Sequence, residues 1–341
     1  MTGRAGLSAE RLGVAIVGCG LVGQKRAKAL AGARLTACAD VKRERADALA
    51  RTASGATASH DWHAAIDRPD VDVVVVATTN DALAAVARFA VEAGKHVLVE
   101  KPAARSVAEI DTVIEAAARC RRLVRVGFNH RYHPAMLKTR EIVDAGALGD
   151  LMFVRGRYGH GGRVGYEKEW RADPRLAGGG ELIDQGVHLI DLSRWLLGDF
   201  VTVEGFAHTY FWPMPVDDNA FMTLRTAREQ TAFLHVSCTE WKNLFSLEIY
   251  GHDAKLHVEG LGGSYGLERL ALYQMLPEMG PPETTIWEYP RGDRSWALEL
   301  EEFLDDIRLG RQPAAGLADA RAALAVVEQI QRQSGCLAVT R

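Results

Sequence analysis

The sequence predicts two domains: an α/β domain on a doubly wound parallel sheet, then an α+β domain with an antiparallel sheet. Three observations predict this. A short apolar run, residues 14–17, leads into Gly18-Cys19-Gly20-Leu21-Val22-Gly23, and the next apolar run closes on Asp40, 22 positions after Gly18. From residue 14 to about 128, short apolar runs alternate with helical stretches, the pattern of parallel strands joined by crossover helices. After about residue 130 many segments alternate apolar with polar residues, as antiparallel strands with one wet face do. The 341 residues, at about 150 per domain, agree with two domains. The boundary is placed between 128 and 129, and residues 1–11 are expected to be flexible.

The strands of the first domain are expected at 14–17, 35–39, 71–77, 96–99 and 124–127. Val73-Val74-Val75-Val76 is continuously apolar, as a central strand buried on both faces requires. In the second domain a helix is expected at 134–144, a strand at 151–158, a glycine-rich loop, and a helix near 181–197. Strands at 202–209, 218–226, 230–238, 245–250 and 255–259 follow, with closing helices at 296–310 and 316–333.

The glycine string is a dinucleotide-binding fingerprint. Gly18 allows a tight strand-to-helix turn, Gly20 lets backbone approach a pyrophosphate, and Gly23 lets the helix expected to open over 24–31 pack on its strand, with Leu21 and Val22 inside the string counted among the cofactor-binding residues. The diphosphate then meets free N–H groups at a helix N-terminus. Asp40 suits ribose hydroxyls and repels a 2′-phosphate, so NAD is the expected cofactor; Lys42 and Arg43 just beyond keep NADP open as the alternative.

Three segments carry further chemistry. Thr78, Thr79 and Asn80 follow the central strand at its carboxyl end, where open α/β sheets bind ligands. Glu100-Lys101-Pro102 follows another strand, placing a cation at the same edge. It is either a group that bonds a substrate oxygen or a surface lysine paired with Glu100. Asp184 and His188, four apart on an expected helix, share one face, either as an acid/base pair or as a pair that satisfies itself.

Composition excludes several classes. The chain is 48% hydrophobic and 25% charged with a net charge of −3, and carries no basic stripe for nucleic acid. No apolar stretch approaches the length of a membrane span and no signal peptide is visible, so a cytoplasmic location without membrane association is expected. Cys19, Cys38, Cys120, Cys238 and Cys336 are scattered without a CxxC pair, and His60/His63 and His130/His133 lack companion ligands. Neither disulfides nor a metal site is expected.

GCGLVG, Glu100-Lys101-Pro102, Gly127-Phe128-Asn129-His130-Arg131 and GGGELIDQGVHLIDLSRWLLG, in this order, resemble the glucose-fructose oxidoreductase and inositol dehydrogenase family (Gfo/Idh/MocA) from about residue 12 onward. The resemblance implies a Rossmann domain, then a domain with an open, largely antiparallel sheet that often mediates dimers or tetramers. It implies that Lys101 is the catalytic lysine and that Asp184 and His188 are the DxxxH pair whose histidine is the acid/base. Glu100, Pro102, Thr78, Thr79 and Asn80 match positions that line the cofactor, while Asn129, Arg131, Trp170 and Arg171 match positions that line cofactor or substrate. Where relatives often carry histidine after the Thr-x-Asn segment, this chain has Leu83.

The expected activity is hydride transfer between NAD(P) and a secondary alcohol or ketone of a sugar, cyclitol or nucleotide sugar. Arg131, Arg163 and Arg171 are candidates for anionic substrate groups, and Tyr158, Tyr166 and Trp170 for a sugar ring. Two alternatives stand beside it: internally recycled, tightly bound NAD giving glycoside cleavage or epimerisation, and a cofactor-sensing binding protein.

Overall fold

The computed structural model of the protein describes residues 12–335, so the expectation for residues 1–11 lies outside the described residues, as does Cys336. Six strands, β1 (Gly13–Val17), β2 (Arg34–Ala39), β3 (Thr57–Ser59), β4 (Val73–Val76), β5 (His96–Glu100) and β6 (Val124–Gly127), form an all-parallel sheet in the order β3-β2-β1-β4-β5-β6. The strand order reverses between β1 and β4, which opens a crevice at the carboxyl ends of the strands. Helices α1 (Leu21–Lys28), α2 (Arg43–Ala50), α3 (Trp62–Ile66), α4 (Asn80–Glu92) and α5 (Val107–Cys120) make the crossovers. Every valine of β4 is fully buried, as its sequence requires. Leu83, on α4, points into the same core and is fully buried.

One strand of this sheet was not legible. Thr57-Ala58-Ser59 is short and polar, and it becomes β3 only because the edge of β2 offers it a parallel partner, Ala37 to Ala39.

Helices α6 (Pro134–Asp144), α7 (Pro174–Ala177) and α8 (Val187–Leu197) accompany an eight-stranded sheet. Its strands are β7 (Leu151–Gly159), β8 (Phe200–His208), β9 (Asn219–Thr226), β10 (Thr231–Ser237), β11 (Leu244–Gly251), β12 (Ala254–Glu259), β13 (Glu268–Gln274) and β14 (Glu283–Tyr289), in the order β14-β13-β12-β11-β7-β10-β9-β8. All neighbours are antiparallel except β7 and β10, which run parallel. The β13–β14 hairpin was not anticipated, because β14 is exposed along most of its length and shows no inward stripe.

Two closing helices, α9 (Ser295–Leu309) and α10 (Leu317–Gln333), tie the halves together. Helix α9 returns to the first sheet, where Leu300, Phe303 and Leu304 join Val14, Ile16 and Leu98 in one core. Helix α10 packs against α5, α8 and β8. At the α9 seam the fully buried Arg26 of α1 donates through Nε to Glu100 (2.6 Å) and through Nη1 to Glu299 (2.5 Å). Burial raises the Glu299 pKa to about 7, with Arg26 opposing and Glu100 adding to the shift.

A carboxyl whose folded pKa lies above its ordinary value of about 4.5 holds a proton that the unfolded chain has released, so its contribution to stability falls as pH rises from about 4.5 to about 7. Glu299→Gln removes that loss. The melting temperature of the variant, minus that of the wild type, is therefore expected to grow between pH 5 and pH 8, and parallel curves would contradict the burial argument.

Candidate active site

The turn after β1 is built for a dinucleotide. Gly18 adopts φ +93°, and a Cβ there would lie 2.3 Å from the Ala77 carbonyl oxygen; a Cβ on Gly23 would lie 2.0 Å from the oxygen of Gly18. Only glycine lets α1 sit this close to the sheet. Gly20, by contrast, meets no neighbour nearer than 4.0 Å. It begins α1 without a capping side chain and with no acid in the first turn. Open space before uncapped N–H groups is a cradle that fits a diphosphate.

Asp40 ends the turn from the other side. Its Oδ2 accepts from the Cys19 N–H at 2.7 Å and its Oδ1 from the Lys42 N–H at 2.8 Å, so the carboxylate braces the glycine loop. A carboxylate has about four lone-pair sites, which leaves two for ribose hydroxyls. Arg43 is drawn to Asp47 at 3.1 Å on the exposed side of α2.

At the carboxyl ends of the strands lies a cleft of about 490 Å³ between the two sheets. Leu21, Val22, Lys25, Glu100, Lys101 and Asn129 line it from the first half, and Tyr158, His160, Arg163, Tyr166, Arg171, Asp184 and His188 from the second. The expected Lys101, which follows β5, and Asp184 and His188, just before and on α8, therefore converge from the two halves. Lys101 donates to the Asp184 carboxylate (Oδ1, 2.5 Å) and to its backbone oxygen (2.6 Å), while Arg171 Nε donates to Oδ2 at 2.9 Å. Burial works to raise the Asp184 pKa, but the charges of Lys101 and Arg171 outweigh it and hold the carboxyl well below the usual range. Glu100 is committed to Arg26, so the alternative of a Glu100–Lys101 pair is not formed.

The expected Asp184–His188 contact is not formed. Residues Leu182–Gly186 wind as a π-helical turn before α8, which breaks the α-helical spacing on which a shared face depends. Asp217 holds the start of this segment, accepting from the N–H groups of Gly180 (2.9 Å) and Leu182 (2.7 Å). His188 is buried and stacks on His130, with ring centroids 3.7 Å apart. Burial first, then the charges of Lys101 and His133, push its pKa well below the ordinary imidazole value.

Other expected residues sort clearly. Arg131 is not a substrate group: it is buried, makes a bidentate pair with Asp191 (2.8 and 2.5 Å) and donates to the Ala314 oxygen at 2.7 Å. Asn80 turns its amide to the Ala177 oxygen (2.9 Å), tying α4 to α7; with Trp170 it lines a small cavity that shares Tyr166, Arg171 and Asp184 with the cleft, while Thr78, Thr79 and Pro102 line neither. Trp170 lies outside the cleft beneath the Arg171 guanidinium, 4.6 Å from ring centroid to Cζ. Arg163 sits at the rim, paired with Glu169 at 2.7 Å. His130, His133, His160, Asn243 and Tyr265 line the cleft without having been anticipated. His130 alone had a visible signal, its place just past a strand end beside Asn129.

A doubly wound sheet with this cradle and an acid/base cleft at its carboxyl edge defines a nicotinamide-dependent oxidoreductase. Residues 12–128 match the oxidoreductase family with an NAD-binding Rossmann fold, and residues 136–257 match the GFO/IDH/MocA C-terminal domain. The chain belongs to the Gfo/Idh/MocA oxidoreductase family. It is similar to inositol 2-dehydrogenase 2 of Saccharopolyspora erythraea, 31% identical over 329 residues covering 93% of this chain and 91% of the relative. It also resembles levoglucosan dehydrogenase of Pseudarthrobacter phenanthrenivorans, 30% identical over 240 residues, 64% of this chain and 60% of that one. A levoglucosan dehydrogenase solved with NADH and L-sorbose superposes with a TM-score of 0.84 at 25% identity, covering 95% of this chain and 98% of that one. No helix among the described residues is long and apolar enough to cross a membrane.

Asp40→Ala is expected to weaken NADH binding about tenfold or more, because hydrogen bonds to a charged group contribute about 1.5–3 kcal/mol each. A fluorescence titration with NADH reads the change; unaltered affinity would remove Asp40 from the cofactor site.

Proposed function

We propose that this protein oxidises a secondary alcohol of an uncharged sugar or cyclitol with NAD, and reduces the corresponding ketone in reverse. The observation that carries it is the meeting of Lys101, from the end of β5, with Asp184 and His188 of the second half in one cleft. The glycine cradle, Asp40 and Lys25 on α1 are the groups that would hold the cofactor. When bound, NAD supplies the acceptor for hydride from carbon.

The side chains divide the remaining work. An ammonium has three donors; Lys101 spends two on Asp184, and the third bonds the substrate oxygen and stabilises the charge that develops there. Asp184, held ionised between two cations, anchors Lys101 and does not itself carry a proton. His188 rests neutral and takes the hydroxyl proton; in the reverse direction it returns it.

Charge selects the substrate class. Lys101 and Arg171 share Asp184, and Arg163 has Glu169, so the cations of the second half and of β5 are already paired. A phosphate or carboxylate would compete with Asp184 and Glu169 for these cations, whereas hydroxyls can join the pairs as they stand. Tyr158, Tyr166 and Tyr265 in the walls provide flat surface for a ring. This favours a neutral polyol over a nucleotide sugar. The exposed face of the eight-stranded sheet, with Phe153, Phe206 and Phe233 half out in solvent, suits a homodimer or homotetramer in the cytoplasm.

NADH absorbance at 340 nm with NAD and a panel of cyclitols, free sugars, sugar phosphates and nucleotide sugars tests the reading. Neutral compounds are expected to exceed their phosphorylated counterparts at least about tenfold in kcat/KM, in line with the loss of one ion pair. Preference for a charged compound would reverse the substrate class. Lys101→Met is expected to lower kcat about a hundredfold or more, and unchanged turnover would remove its role.

A further inference from the structure

The ring of His188 is held without a hydrogen bond. Its Nδ1 is buried without a partner, and the carboxylate one turn back, Asp184, is spent on Lys101 and Arg171. An acid/base histidine ordinarily has its second nitrogen fixed by a carboxylate or carbonyl, which sets both tautomer and ring direction. What touches His188 instead is another imidazole. His130 lies face to face with it, centroids 3.7 Å apart and planes at 23°, while Phe128 and Tyr158 meet the ring edge-on at 6.1 Å.

His130 is itself fixed. The Asn129 amide donates through Nδ2 to Ser295 Oγ at 2.8 Å, which turns its Oδ1 toward His130 Nδ1 at 3.3 Å. That nitrogen therefore carries the proton, and Nε2 of His130 is a bare nitrogen, buried with no partner. Tyr158 and His133 close on the ring at 5.2 and 5.7 Å.

We propose that His130 is the positioning residue of His188: its ring face, in place of a carboxylate, holds the imidazole with Nε2 toward the cleft and seals it from water. This rests on the proposed role of His188 as proton acceptor. The groups facing His188 are Lys101 at the end of β5, His130 and His133 after β6 and Tyr158 on β7; Asp184 lines the same cleft but is taken by Lys101 and Arg171, and Glu268 of β13 takes up His133 at 3.0 Å. Burial and the cationic surroundings keep both stacked rings neutral. When His188 accepts a proton, the imidazolium meets the π face of His130, and no anion at Nδ1 traps it there. A base held this way gives its proton back readily, which the return step of a reversible reaction needs.

Full-length wild type, His130→Ala and His130→Phe, with 15N-labelled histidine rings assigned by a His188→Asn variant, test the proposal by NMR from pH 5 to 9. The wild-type His188 ring is expected to stay in one neutral tautomer, protonated on Nδ1, below the ordinary imidazole pKa of about 6.5. In His130→Ala it is expected to titrate near that value and to populate both tautomers; His130→Phe, which keeps a flat face, is expected to restore the wild-type behaviour. In turnover of the fastest neutral polyol of the panel, His130→Ala is expected to lose at least about tenfold in kcat with the KM for NAD within about twofold, and His130→Phe to recover most of it. An unchanged His188 ring in His130→Ala, or a His130→Phe protein as impaired as His130→Ala, overturns the positioning role. Full turnover by His188→Asn would instead overturn the parent reading of His188, while the ring spectra still decide whether the stack orients it.

Discussion

A single buried guanidinium organises the active edge of this protein. Arg26 sits on α1, the helix that begins at the glycine cradle, and binds Glu100 at the end of β5 and Glu299 on α9. One charge thus joins the cofactor helix, the strand that delivers Lys101 and the helix that returns from the second half. Because Glu100 is held inward by Arg26, the next side chain, Lys101, is free to cross the cleft to Asp184. Such a cluster is a strong constraint: removing one partner of a buried pair leaves an uncompensated charge at a cost of about 3–5 kcal/mol.

On the far side of the cleft the constraint is backbone geometry. Asp217 secures the chain at Gly180 and Leu182, and the π-helical turn that follows swings Asp184 toward Lys101 and Arg171 while His188 goes to the His130 stack. The two residues of the Asp184/His188 motif thereby do different work. One is an ionised anchor between cations, and the other is a neutral ring in an aromatic clamp. In the reaction we propose, the separation keeps a permanent anion away from the nitrogen that takes the proton and keeps the lysine in place for an oxygen of the substrate.

The same pairing is what makes a cleft with several cations fit the neutral polyol that we propose as substrate. Arg163 is paired with Glu169, and Arg171 shares Asp184 with Lys101, so what the walls add for recognition is chiefly hydrogen bonding and ring surface. The family to which the chain belongs, and its likeness to inositol and levoglucosan dehydrogenases, lie in the same direction.

What the sequence determined by itself was everything written in local spacing. The glycine turn, Asp40 after β2, the buried valines of β4 and the position of Lys101 after β5 follow from strand ends and short-range sterics, which act between residues close in the chain. The antiparallel strands of the second half were legible in most places where one face is dry, and β3 and β14 escaped because short or exposed edge strands carry no inward stripe. Only the tertiary structure decided the partners. Arg26 with Glu299, Arg131 with Asp191, Asn129 with Ser295 and His130 with His188 are separated by 58 to 273 positions, and nothing local distinguishes a buried ion pair or ring stack from a solvated side chain. The spacing of Asp184 and His188 misled for a related reason: a π-helical turn is imposed by the packing around it, and it redirects side chains that an α-helix would have aligned.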